Sequence, residues 1–240
     1  MTFSRTEQVI HPSKYQTEWH SHKHGQITRV DVGVLVIETI DGKWLVPRGS
    51  ICWIPPKQQH MSYSHTKISG HSTYLSHPYC QQMPTALSVL KPTELCNSVF
   101  NRLLHEAEDS PIHSHLTALL MYELSTAERE PWHLPIPQDK RLQELTMFIL
   151  NDISNSDSIA YWAHVIGMST RTLSRKFTQE TGMPLVRWRT LARLMKAMEW
   201  LQMGKSVDWV AQSCGYCNAS VFITVFKQYL GCSPGQWIKQ

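Results

Sequence analysis

The sequence contains no run of eighteen apolar residues, which excludes a membrane-spanning helix. Its start, Met-Thr-Phe-Ser-Arg-Thr-Glu, lacks the apolar stretch of a signal peptide, so a cytoplasmic location is expected. In that compartment the six cysteines, Cys52, Cys80, Cys96, Cys214, Cys217 and Cys232, are expected to stay reduced. Cys214 and Cys217 form a C-x-x-C, but no second pair accompanies it, and cysteine is a common small buried residue. A zinc or redox centre is therefore not read there. Histidine is nearly missing from the C-terminal part: twelve of the thirteen precede residue 134, and only His164 follows.

What the chain does have is length, charge asymmetry and a duplication. Its 240 residues suffice for two domains, each with its own core. From Lys140 onward there are twelve Lys and Arg against six Asp and Glu, whereas Met1 to Asp139 holds eleven against thirteen. A basic half beside a mildly acidic one fits one domain for nucleic acid and one for something else.

The duplication lies between Ser158 and Pro234. Each copy places an Ala four residues before a Gly: Ala163 and Gly167, then Ala211 and Gly215. The small residue lets a second helix cross closely, and Gly supplies the positive φ that ends the first helix. A cap follows, Ser169 or Thr170 in the first copy and Asn218 in the second. Leu173 and Phe177, and Phe222 and Phe226, form the buried stripe of each second helix. The residues between them face outward: Thr170, Arg171, Thr172, Ser174, Arg175 and Lys176 in the first copy. Such a face fits the DNA major groove, where Arg pairs with guanine and hydroxyls meet bases or phosphates.

Ser158 to Gln240 resembles the DNA-binding domain of the AraC/XylS family of transcription regulators. The resemblance rests on Ala163, Gly167, Leu173, Phe177, Gly182, Trp188, Arg193, Ala211, Gly215, Tyr216, Phe222, Phe226, Gly231 and Pro234, among others. It implies seven helices, with two helix-turn-helix units joined by a long helix. It also implies base-reading positions at Arg171, Ser174 and Arg175, and at Ala219, Ser220, Ile223 and Thr224. The second set lacks the Arg or Gln found in many relatives, so the first unit is expected to supply most hydrogen-bonded readout. Asn218 and Lys227 would flank the second helix, Lys227 near phosphates.

Met1 to about Pro84 reads as short strands of a small barrel or sandwich. Ile27 to Ile40 alternates loosely, Asp41-Gly42 is a hairpin signal, and Lys43 to Pro47 and Ser50 to Ile54 follow. Trp19 to Gln26 is read as an extended strand, in which His20, His22, His24 and Gln26 fall on one face and three imidazoles and an amide converge. This segment and Gly49 to His60 resemble the two motifs of the cupin barrel. The first motif is carried by His20, His22, Gln26 and Gly33, with Gln where the family has Glu. The second is carried by Gly49, Pro55, Lys57 and His60, with Lys where the family has its last Gly. The resemblance implies a pocket formed by His20, His22, Gln26 and His60. Neutral imidazoles suit Ni, Zn, Co, Cu or Fe alike. Three readings stay open: a divalent transition metal, an organic effector without metal, and packing alone. His24 is expected at the pocket mouth, and His65, His71 and His77 on the surface.

Pro92 to Thr126 reads as two helices, with Leu95, Val99, Leu103 and Leu104 on one buried face and Leu116, Leu119, Leu120 and Leu124 on the other. An exposed part of these stripes would pair two chains into a homodimer. The expected organisation is α+β. Residues 1–127 form a cupin-like β-barrel with two following helices, 128–139 a Pro-rich linker, and 140–240 an all-α domain with two helix-turn-helix units. The function expected is a regulator that binds double-stranded DNA and senses a metal ion or small effector, with no catalytic residues. The alternative is a metal-dependent cupin enzyme fused to a DNA-binding domain, although no acid or base stands beside the pocket in the sequence.

Overall fold

The computed structural model describes residues 4–107 and 109–239. The chain divides into two compact units, Met1–His133 and Leu134–Gln240. The strands are β1 (Ser4–His11), β2 (Tyr15–Gln16), β3 (Gly25–Val32), β4 (Val34–Thr39), β5 (Gly42–Pro47), β6 (Ile51–Ile54), β7 (Met61–Ser64), β8 (Ile68–Leu75), β9 (Ser88–Lys91) and β10 (Glu128–Arg129) in the first unit, and β11 (His133–Pro135), which begins at its last residue. Three helices interrupt them: α1 (His77–Cys80), α2 (Glu94–Leu103) and α3 (His113–Thr126).

The strands make a six-stranded sheet, β1-β8-β3-β6-β9-β10, and a five-stranded sheet, β11-β5-β4-β7-β2. Val30, Cys52, Ile54, Ile68 and Val89 of the first sheet meet Leu35, Ile37, Trp44 and Val46 of the second in one core. The other face of the six-stranded sheet carries Ile27, Ile51, Trp53 and Leu90, packed on Cys96, Val99, Phe100, Leu120, Met121 and Leu124 of α2 and α3. The unit is thus sheet on sheet with a helix pair outside, as expected of an antiparallel sheet with helices on one side.

The alternating stretch from Ile27 to Ile40 is broken into two strands at Gly33, which adopts a φ of 86°. A side chain there would also overlap the Lys67 carbonyl, so Gly is required twice over. The Asp41-Gly42 signal marks the β4–β5 turn, where the Asp41 amide donates to Thr39 Oγ1 at 3.1 Å.

The two expected helix faces are met in most positions: Val99, Leu120 and Leu124 are buried and Leu103, Leu104 and Leu116 pack against the same core, whereas Leu95 and Leu119 turn outward. Thr93 caps α2 by accepting from the Cys96 amide at 2.9 Å, which sets Cys96, Val99 and Phe100 inward and leaves Leu95 half exposed. On α3 the buried set is Thr117, Leu120, Met121 and Leu124, and Leu119 faces outward. Both helices carry apolar residues on two sides, so a stripe of leucines could be drawn in either phase. Residues 128–139 are also less free than a linker: β10 pairs with β9, and the Leu45 amide donates to the Trp132 carbonyl at 2.9 Å. Short edge strands tolerate the prolines that flank them.

The second unit contains, among the described residues, seven helices: α4 (Lys140–Asn151), α5 (Ile159–Val165), α6 (Thr170–Thr181), α7 (Leu185–Gln202), α8 (Val207–Ser213), α9 (Ala219–Leu230) and α10 (Pro234–Lys239). On α4, Leu142, Leu145, Thr146 and Ile149 form the buried stripe, and Phe148 is half exposed. Phe177, Trp188, Phe222 and Phe226 are fully buried, and truncating any of them to Ala would cost about 3–5 kcal/mol.

Candidate functional site

Two sites emerge, one in each unit. The first is a cavity of about 160 Å³ between the two sheets. A single β-bridge builds its centre. His20 and His60 exchange backbone hydrogen bonds of 2.9 Å in both directions, which brings their rings side by side, with centroids 4.3 Å apart and planes inclined by 53°. The His22 ring lies 4.8 Å from that of His20 and 5.4 Å from that of His60. One nitrogen of each ring can be chosen so that all three lie within 4.8 Å of one another.

The bridge depends on a turn at Lys57. Its amide donates to the His22 carbonyl at 2.7 Å, and its φ is 64°, a left-handed value unusual for a side chain other than Gly. Lys57 stands where the second motif has its last Gly, so the conformation is retained although the residue is not. Gly49, the other motif glycine of that segment, has a φ of 84°.

Backbone carbonyls orient two of the rings. His20 Nδ1 lies 2.8 Å from the Glu18 carbonyl and His60 Nδ1 lies 2.9 Å from the Gln58 carbonyl. Each Nδ1 carries the proton in such a bond, which leaves Nε2 as the free lone pair. Burial, then the neighbouring His20, holds His22 below the ordinary histidine value of 6.5. Burial also lowers His60, against the Gln58 carbonyl bond that raises it. Both rings are therefore neutral near pH 7.

Gln26 lines the same cavity from β3. Its Nε2 donates to Thr28 Oγ1 at 3.0 Å and to Ser72 Oγ at 3.3 Å, and its buried Oε1 has no partner. The four residues singled out in the sequence thus share one cavity, but not by one extended strand. Residues 21–24 are irregular, and His24 is exposed. His71 departs from its expected surface position: its Nδ1 lies 3.0 Å from Asp31 Oδ2 on the helix side of the sheet. Sequence reasoning missed the walls supplied by β1 and β8, including Glu7, Val9, Ser72 and Tyr74. Alternation along β1 and β8 marks these positions, but only their pairing with β3 places them beside the histidines.

The second site is the outer surface of the two helix-turn-helix units. Ser169 Oγ accepts from the Thr172 amide at 3.1 Å, and Asn218 Oδ1 from the Val221 amide at 2.9 Å. Leu173 and Phe177, and Phe222 and Phe226, point inward. Thr170, Arg171, Ser174 and Arg175 are exposed on α6, as are Ser220, Thr224 and Lys227 on α9, with Ala219 and Ile223 half-buried beside them. Arg171 projects from the exposed face of α6, and Arg175 makes a loose 3.5 Å contact with Gln179. Lys176 departs from the expectation. Its ammonium is drawn onto Asp139, the capping residue of α4, and Thr172 is engaged with Ser169 in the cap of α6. On α7, Arg193 donates to the carbonyls of Ile153, Ser154 and Asn155 and lies over the Tyr216 ring, so it is a structural strut. Of the C-x-x-C pair, Cys214 is buried and Cys217 exposed, and both are free thiols.

Comparison with known proteins covers both units. A model described as an AraC-like ligand binding domain matches residues 9–129, and a helix-turn-helix domain model matches residues 162–240. The HTH-type transcriptional regulator NimR of Escherichia coli K12 is 28% identical over 222 residues, covering 91% of this chain and 81% of the relative. The HTH-type transcriptional activator RhaS of Escherichia fergusonii is 26% identical over 239 residues, covering 90% of this chain and 85% of that one. Among solved structures, ToxT of Vibrio cholerae aligns with 99% of this chain and 98% of its own, at 12% identity and a TM-score of 0.42.

Proposed function

The chain belongs to the AraC family of DNA-binding transcription regulators, with an AraC-like ligand-binding domain before its helix-turn-helix region, and from that premise we propose that its ligand is a divalent transition metal held by His20, His22 and His60. The observation that carries this reading is the convergence of three imidazoles whose ligand atoms lie within 4.8 Å of one another. Carbonyl bonds to Nδ1 of His20 and His60 leave Nε2 free, which is how metal-ligating histidines are usually held. The unpartnered Oε1 of Gln26, in a side chain fixed by two hydrogen bonds, fits a neutral fourth donor. Imidazole nitrogen and amide oxygen suit Ni, Zn, Co, Cu or Fe without choosing among them.

In this reading the metal supplies charge and a fixed geometry, and the protein reads its presence. Binding draws β3, which carries Gln26, toward the bridge that carries His20 and His60. It alters transcription only insofar as it favours one of two states of the regulator. The exposed α6 and α9 faces then meet double-stranded DNA, with Arg171 and Arg175 as base readers, and a second copy joins through α3. The named relatives are transcription regulators, so no enzyme activity is proposed.

The test is elemental analysis with calorimetry. The wild-type chain should take up one transition metal ion. His22→Ala and His60→Ala should each lose it while keeping their fold by circular dichroism. Gln26→Glu should tighten uptake by roughly tenfold, because a carboxylate adds charge to the donor set. A wild-type chain that takes up none of the five metals would end the metal reading and leave an organic effector.

A further inference from the structure

We propose that a crevice of about 220 Å³ between α2, α3 and the outer face of the six-stranded sheet is a second ligand site, and that it takes a small organic cation, a protonated amine on an apolar body. It lies across the sheet from the histidine cavity. Thr6 on β1 and Thr73 on β8 point into the crevice, whereas Glu7, Ser72 and Tyr74 beside them line the histidine cavity. Strand alternation makes one wall serve two sites.

The crevice has two unlike ends. Its floor is apolar: Phe100 and Leu120 are fully buried, and Leu103 and Leu104 flank them. Its polar wall holds the Thr6 and Thr73 hydroxyls, 3.0 Å apart, and the Glu106 carboxylate. Glu106 is the only carboxylate among the lining residues; His113 is the one basic side chain that lines the crevice with it, and no Lys or Arg does. A hydrophobic floor with a single negative group in its polar wall is complementary to an amine carried on a ring or short chain.

Glu106 is ready for that role. Hydrogen bonds from Ser110 and then Arg102 hold its carboxyl below the ordinary range, so it is ionised near neutral pH. Only 13% of its side-chain surface is exposed, against 65% for Arg102, whose Nε lies 2.8 Å away. Arg102 compensates the charge in the free protein from the solvent side. An incoming ammonium can take over that partner while the guanidinium swings into water. Arg102 is then a competitor of the ligand.

The full chain is titrated by calorimetry with 2-phenylethylamine and with its neutral isostere 2-phenylethanol. The amine should bind saturably, about tenfold more tightly than the alcohol, as an ionic hydrogen bond requires. Glu106→Gln should remove that preference and leave alcohol binding unchanged. Arg102→Ala, which removes an exposed side chain, should tighten amine binding by a few-fold. Equal affinities for amine and alcohol, an unaltered preference in Glu106→Gln, or no saturable heat at millimolar amine would each overturn the site. Circular dichroism of the same variants reports that the unit is folded and leaves the histidine reading to its own test.

Discussion

At the scale of single residues, the first unit contains two kinds of imidazole. His22 and His60 lie beside other rings in one cavity. His133 instead stacks on Trp44 with centroids 4.1 Å apart, and its Nε2 is buried without a partner. Burial pushes its pKa down to about 4. The unfolded chain titrates near 6.5, so between those values it takes up a proton that the folded unit refuses. Stability is therefore full above about pH 6.5 and falls as the pH drops toward 4, by roughly 1–3 kcal/mol for this group. Urea unfolding followed from pH 7 to pH 4 should show the loss, and His133→Leu should flatten it. Identical profiles would assign the acid sensitivity elsewhere. The sequence marked the histidine-rich half but could not separate these roles, because a ring's neighbours come from strands distant in the chain.

At the scale of elements, the two helix-turn-helix units were legible almost residue by residue. Caps, glycines and Phe anchors act within a few residues of one another, so their spacing carries the geometry. The outward faces were less so. Lys176 has the same helical phase as its neighbours, yet Asp139 captures it from another helix. Arg171→Ala or Arg175→Ala should thus cost about 1–3 kcal/mol of specific DNA binding and relax the preference at one base position. Lys176→Ala should leave base preference intact and lower stability by no more than about 1 kcal/mol. Competition binding against single-base operator variants separates the two outcomes, and uniform weakening by all three would refute direct readout. The turn glycines differ in the same way. Gly167 has a φ of 65° with open space around it, whereas a side chain on Gly215 would overlap the Ser154 carbonyl and reach within 2.8 Å of the Arg193 guanidinium. Gly167→Ala should cost about 1 kcal/mol and Gly215→Ala clearly more, by thermal unfolding.

At the scale of the whole molecule, two compact units divide between His133 and Leu134, within the segment read as a linker. No helix among the described residues is long and apolar enough to cross a membrane. The outer face of α3 presents His115, Ala118, Leu119 and Tyr122 at helical spacing, with Tyr122 63% exposed, a stripe free of formal charge near its middle. If a second copy covers it, Leu119→Asp combined with Tyr122→Asp should convert a dimer to a monomer in sedimentation while metal uptake is unchanged. A wild-type chain that sediments as a monomer at micromolar concentration would remove the homodimer.

The paired helix-turn-helix units and the hairpin turns were set by the sequence alone, because turns, caps and periodicity are local interactions, and the four cavity residues were legible through a motif resemblance. Tertiary structure decided which face of α2 and α3 is buried, which cations stay free, and how a wall of β1 and β8 closes the histidine cavity. Each of those depends on the partner an element meets, and several partners of similar chemistry compete for it. The bridge between His20 and His60 is the clearest case. Its forty-residue span is invisible to local reasoning, and it is what turns three scattered imidazoles into one site.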